Sequence, residues 1–320
     1  MKSNYRYIVK AFMAMAVIAG TTSCDDFLDR EPMSSISPET YYSTAAQLEA
    51  NLNDEYPNVL PSFGQWTYGI FGEDKGTDNQ IEVNANDRYT QDRWKVPHSE
   101  SDNWKFERIY RINFFLSEAL PKFGEDMSGS QNTISGSVAT IKHYIGEMYF
   151  LRAYEYFKKL QLFGDFPIIN QPLADEMEAL REASKRFPRN EVARFIISDL
   201  DKAYAYMSDV DMATTRINKD VAMLVKSRVA LFEATWLQNF KGTAFVPGGE
   251  GWPGASLHNN YQYPSGNIDN EVKYFLEQAV EASKLVADKY KGSLTENTGV
   301  LQQSADDPSN PYFDMFAQED

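Results

Sequence analysis

The sequence predicts an all-α fold of stacked helix hairpins with long irregular loops, and three observations support this. Six segments carry apolar residues at helical spacing between capping or breaking residues: 43–58, 101–120, 135–163, 189–207, 218–240 and 270–291. Few segments read as strands. The composition, 320 residues with 42% hydrophobic and 24% charged, suits one large or two modest domains around a substantial core.

Segment 43–58, STAAQLEANLNDEYPN, and segment 101–120 open the helical series. The central segment reads IKHYIGEMYFLRAYEYFKKLQLFGDFPII over residues 141–169. Ile141, Ile145 and Met148 form one stripe, Phe150, Tyr154 and Phe157 a second, and Tyr149, Tyr156, Leu160 and Phe163 a third. Apolar groups on nearly all sides mark a buried, central helix. Lys142, Glu147, Arg152, Glu155, Lys158 and Lys159 are too many charges for a membrane span, so the segment is expected to be core. Gly146 and Ala153, seven apart, would let a neighbouring helix approach closely. Gly164 should stop the helix, and Pro167 begins an extended stretch, FPII. In segment 189–207 the apolar set is Val192, Phe195, Ile196, Leu200 and Ala203, with Asp199, Asp201 and Lys202 assigned to the opposite, solvent face. Asn218 is the expected N-cap of the next helix, whose stripe is Val221, Leu224, Val225, Val229 and Phe232. Neighbouring helices joined by turns suggest antiparallel hairpins of the tetratricopeptide type, although no clean 34-residue period is present.

Charge narrows the function classes. The 31 Lys and Arg against 46 Asp and Glu give a formal net charge of −15. No basic cluster offsets that field, so nucleic acid is excluded as a partner. Lys2, Arg6 and Lys10 precede the ten-residue apolar run AFMAMAVIAG, far short of the about 20 residues a bilayer span needs. This pattern reads as a signal peptide. Cys24, the sole cysteine, follows directly and resembles the acylated residue of a bacterial lipobox, with Thr21 where such motifs usually carry Leu. The alternative is a free surface thiol after ordinary secretion. With no second cysteine, no intrachain disulfide forms. Asp25, Asp26 and Asp29 would keep the body off the headgroups on a short tether. The expected division is signal peptide 1–23, acylated cysteine and tether 24–42, and helical domain 43–320.

Signals of catalysis are weak. GEGWPG at 249–254 matches the G-x-G-x-x-G dinucleotide pattern, but Pro253 interrupts it and no strand precedes it, so it is expected to be a loop. His98, His143 and His258 lack metal-ligand spacing; His143 is read as a packed or capping residue, and no metal or cofactor is expected. Residues 72–87 carry Glu73, Asp74, Asp78, Glu82, Asn84 and Asp87 without EF-hand spacing, and read as a solvated acidic loop.

GEMYFLRAYEYFKKLQLFGDFPII resembles the signature helix of the SusD/RagB family of outer-membrane lipoproteins, in which a Glu, a Phe-Leu-Arg-Ala run, a Tyr-Phe pair and Phe-Gly-Asp-x-Pro recur. CDDFLDREP with SPETYYSTAAQLEANLN, then NWKFERIYRINFFLSEAL, RNEVARFIISDLDKAY, INKDVAMLVKSRVALFEATW and PYFDMFAQED are similar to further family segments in the same order. Met148 stands where members often have Ala, and the chain stops where members usually continue, so the sequence is expected to be truncated.

The resemblance implies a non-catalytic, cell-surface lipoprotein of the outer membrane that captures glycan. Its implied partner is a SusC-type, TonB-dependent β-barrel transporter. Peptide capture on the same scaffold and an all-helical glycoside hydrolase or lyase are the alternatives. A hydrolase needs two carboxyls about 5 to 10 Å apart, and no such pair is specified by the carboxylates, which are assigned mostly to helix surfaces and loops. Sugar rings present C–H faces to aromatic side chains and hydroxyls to polar ones. Loop aromatics outside any helical stripe are therefore the expected ligand-binding residues: Trp66, Tyr68, Arg88, Tyr89 and Trp94 in one loop, Trp252, Tyr261 and Tyr263 in another. At least one of Trp66, Trp94 and Trp252 is expected to be exposed, whereas Trp104 and Trp236 fall on helix stripes and are expected in the core.

Overall fold

The computed structural model describes residues 41–61, 103–124, 126–208, 212–213 and 215–293. Thr44 opens α1 (Ala45–Val59) with a capping box, its hydroxyl accepting from the Gln47 amide while the Gln47 side chain accepts from the Thr44 amide. Helix α2 spans Glu107–Phe123 and ends at Gly124. Helix α3, Val138–Phe163, starts at the Ser137 cap and buries residues on every side. A short helix, α4 (Met177–Ala183), buries nothing. Helices α5 (Arg189–Tyr206), α6 (Lys219–Asn239, capped by Asn218) and α7 (Ile268–Tyr290, capped by Asn267) complete the series, with a 3₁₀ turn at Pro253–Ser256. Among the described residues, β-pairing is confined to two isolated bridges, Thr44 with Ser135 and Phe166 with Phe187. The fold is all-α, as the periodicity predicts. Helix α4 escaped the sequence reading because a helix with no buried face leaves no apolar stripe.

The helices stack in sequence, α1 and α2 on α3, α3 on α5, α5 on α6 and α6 on α7. Facing residues give the directions. Along α3 and α5, Gly146 meets Ala203, Arg152 meets Asp199 and Tyr156 meets Phe195, one number rising as the other falls, so the pair is antiparallel. The pairs Arg189 with Glu233 and Asp201 with Lys226 make α5 and α6 antiparallel. Asp220 with Lys289 and Lys241 with Asp269 do the same for α6 and α7. Gly146 is the point of closest approach: a Cβ there would lie 2.8 Å from both Cγ and the amide nitrogen of Met207. Helix α3 is thus the hub of the core, as expected, and no described helix is long and apolar enough to cross a membrane.

Two assignments on the helix surfaces are corrected. Asp199 is fully buried, not solvent-facing, and takes two hydrogen bonds, of 2.6 and 2.8 Å, from Arg152. Val221 and Leu224 are exposed; α6 instead buries Ala222, Met223, Lys226, Val229, Ala230, Glu233, Ala234 and Leu237. Most of the described carboxylates do lie on helix surfaces and in loops, with several buried exceptions. Glu147 pairs with Arg216, Glu233 with Arg189 and Glu271 with Arg194, and all three carboxylates are fully buried. Such burial is tolerable because each carboxylate is matched by a planar, multiply donating guanidinium. Burial raises the Glu271 pKa, but hydrogen bonds from Arg194, Asn190 and Ser265 outweigh it and hold the group below the usual carboxylate range. His143 is buried, its Nε2 3.0 Å from the Ile217 carbonyl, which it donates to, while its Nδ1 accepts from the Ser208 amide.

Candidate functional site

Where α3 ends, Gly164 adopts φ +68°, a left-handed conformation that glycine takes without the Cβ penalty. The chain turns into Asp165 and the extended stretch that follows. Phe166 then pairs with Phe187 through two backbone hydrogen bonds of 3.1 and 3.0 Å, setting the start of α5 beside the end of α3. Asp165 fastens this junction: Oδ1 accepts from the Arg189 amide at 2.9 Å, and Oδ2 accepts from Trp252 Nε1 at 2.8 Å. Burial lifts its carboxyl above the ordinary range despite those two bonds.

The loop after α6 folds back over this junction and makes a cleft of about 530 Å³. Its apolar walls are Leu162 and Phe163 from α3, Trp236 from α6, and Phe245, Trp252 and Leu257 from the loop. Asp165, Arg186 and Arg189 are its charged members. Arg189 is buried, bonds Glu233 through Nε and Nη2, and lays its guanidinium 4.1 Å from the Trp236 ring centre. Burial pushes the Glu233 carboxyl up while the Arg189 charge opposes it. Arg186 is exposed and stacks over Trp104 at 4.6 Å.

The GEGWPG segment is a loop, as expected, and its glycines have steric reasons. A Cβ on Gly249 would lie 1.9 Å from the Thr243 carbonyl oxygen, and one on Gly254 would lie 2.2 Å from the Trp252 ring. Trp252 lines the cleft but is only 5% exposed, its edge turned inward to Asp165. Tyr261 and Tyr263 stand behind it, outside the cleft lining. Tyr261 exchanges hydrogen bonds with the Asn190 side chain, and Tyr263 donates to the Pro247 carbonyl at 2.7 Å. Trp66, Tyr68, Arg88, Tyr89 and Trp94 lie outside the described residues, as do Cys24 and the acidic segment 72–87.

Sequence reasoning missed Trp236, Arg186, Arg189 and Asp165. Trp236 does sit on a helical stripe, but at the end of α6, where that stripe runs out of the core into the cleft. Trp104 precedes α2 rather than lying on a helix, and packs half-buried against Phe163 and Phe166. The RFPRN sequence, two arginines flanking a proline at a helix start, was the available signal for Arg186 and Arg189. Chemically the arrangement offers ring faces and guanidinium donors. Its one carboxylate at the surface of the cleft has both oxygens engaged.

Residues 26–231, more than half of the chain, match the model of a SusD-like family described as starch-binding and associating with the outer membrane. The chain belongs to the SusD-like family. Among curated relatives, SusD-like protein P2 of Formosa agariphila is 25% identical over 253 residues, covering 75% of this chain and 46% of that protein. SusD-like protein P25 of the same organism is 25% identical over 233 residues, 67% of this chain and 41% of the relative. The chain thus spans less than half the length of these relatives. Among solved structures, a SusD-like carbohydrate-binding protein of Bacteroides fragilis matches with a TM-score of 0.42 and 18% identity, over 63% of this chain and 40% of that one. Another, from Bacteroides vulgatus, matches with a TM-score of 0.44 and 14% identity, over 81% and 47%.

Proposed function

We propose that this SusD-like chain is a glycan-binding lipoprotein, anchored in the outer membrane through acylated Cys24 and facing the cell exterior, that passes captured oligosaccharide to a SusC-type TonB-dependent transporter. Membership of a family described as starch-binding and outer-membrane-associated carries the reading. The cleft between α3, α5, α6 and the loop after α6 supports it, since ring faces and fixed donors are what a pyranose needs. Binding without catalysis fits a cleft whose single carboxylate, Asp165, is committed to Arg189 and Trp252, because glycoside hydrolysis requires two free carboxyls.

Titration calorimetry of the mature chain against a panel of polysaccharides tests the proposal. Phe245 lines the cleft and is 61% exposed, so Phe245→Ala should weaken glycan binding without lowering the melting temperature. One lost ring contact amounts to about 1 kcal/mol, a factor of about five in Kd. Binding of oligopeptides with no polysaccharide bound would replace glycan by peptide as the cargo, and release of reducing ends would make the protein an enzyme.

A further inference from the structure

The cleft sets guanidinium donors beside its apolar walls. Arg189 is 4% exposed, and its Nε and Nη2 are both spent on Glu233. Its remaining nitrogen, Nη1, makes no hydrogen bond among the described residues. That nitrogen lies toward Gly164, another residue of the cleft lining: a Cβ at Gly164 would stand 3.3 Å from it. The missing side chain therefore leaves the approach to Nη1 open. Arg186, on the same lining, stacks its guanidinium on Trp104 and forms no ion pair with a carboxylate among the described residues. Arg189 is paired with Glu233, and the Asp165 oxygens are taken by the Arg189 amide and Trp252, so Arg186 is the charged side chain of the lining that holds no bonded counter-ion among the described residues. Two guanidinium groups, one fixed by a buried ion pair and one held on an indole face, both keep donors for an anionic oxygen acceptor.

The geometry points to an acidic saccharide as the ligand of this cleft: a sugar bearing a carboxylate or a sulfate ester, its ring on the aromatic wall and its anion held between Arg186 and Nη1 of Arg189. This rests on the glycan-binding proposal and narrows it from glycans in general to anionic ones. A neutral sugar would leave these guanidinium donors to weaker neutral acceptors, whereas a uronate or sulfate would gain charge-assisted bonds in a partly water-excluded cleft.

The experiment is calorimetric titration of the full mature chain with oligogalacturonate, its methyl ester, a sulfated galactan and a neutral glucan of similar length. Oligogalacturonate is expected to bind about tenfold more tightly than its methyl ester, which has the same backbone without the charge, and added salt should erode that preference. Arg186→Gln should bring the acid down to the affinity of the ester, and Arg186→Lys should retain most of the preference. Binding of the sulfated galactan alone, lost in Arg186→Gln, would keep the anionic site and identify sulfate as the acceptor. Equal affinity for acid and ester, or an acid preference untouched by Arg186→Gln, would overturn the inference while leaving glycan binding intact. Failure of all four ligands to bind would overturn the glycan proposal together with it.

Discussion

Replacing Asp199 by alanine removes a carboxylate that sits fully buried against α3. Arg152, itself 3% exposed, loses the partners of Nε and Nη2 at 2.6 and 2.8 Å and keeps only Asn113 Oδ1 and the Asn170 carbonyl, with the Tyr149 and Phe195 rings beside it. Stranding one partner of a buried ion pair costs about 3–5 kcal/mol. Arg152 also borders a crevice of about 380 Å³, through which water can reach the guanidinium, so the lower end, about 3 kcal/mol, is expected. At roughly 2–4 °C per kcal/mol for a domain of this size, the melting temperature should fall by about 6–12 °C. Urea unfolding followed by far-UV circular dichroism measures the free energy directly. An aspartate on a solvent face would change stability by less than about 0.5 kcal/mol, so the two placements are well separated. The double variant Arg152→Met, Asp199→Leu removes both charges and should recover most of the loss. A cost below about 1 kcal/mol for Asp199→Ala, or a double variant no better than the single one, would refute the argument.

Gly146→Ala would gain about 1 kcal/mol of helix propensity, but its Cβ would lie 2.8 Å from Met207 and 3.0 Å from the Ala203 carbonyl, so overpacking of about 1–3 kcal/mol should prevail; a melting temperature at or above the parent's would contradict the tight α3–α5 approach. Asp165 holds its proton in the folded state at pH values where the unfolded chain has released it, so its contribution to stability falls as pH rises from about 4 through its raised folded pKa. Unfolding free energies of Asp165→Asn measured between pH 4 and 8 should lack that part of the downward slope. Cys24→Ala should move the protein from the detergent phase to the aqueous phase after expression in cells, and unchanged partitioning would remove acylation from the proposal.

Much of the fold was legible because local rules and burial agree along most of the chain. Gly164 stops α3, Asn218 caps α6 and the all-round apolar surface of α3 marks its central place. Asp199 shows where reading by residue type rather than spacing fails. It lies seven residues after Val192 and four before Ala203, on the buried stripe itself, yet its charge suggested solvent. What the letters withhold is its partner, since Arg152 is 47 residues away and meets it only once two helices pack. The site was less legible for the same reason. Asp165, Arg189, Trp236 and Trp252 are scattered along the chain, and only the return of the loop onto Asp165 unites them. That return also explains why Trp252, an indole in a glycine-rich loop, is buried: its backbone is turned in short hydrogen-bonded steps, and its polar edge has an acceptor.

The paired charges between neighbouring helices act as a proofreading device for assembly. Helices as rich in aromatic and aliphatic side chains as α3 and α5 could slide past one another and still cover apolar surface, because hydrophobic contact is indifferent to direction. A slip of one turn would set Arg152 against Phe195 or Ala203 instead of Asp199, burying both groups without the ion pair between them. A similar shift would separate Arg189 from Glu233 between α5 and α6. The α3–α5 and α5–α6 junctions thus each have one alignment that closes without an electrostatic fault.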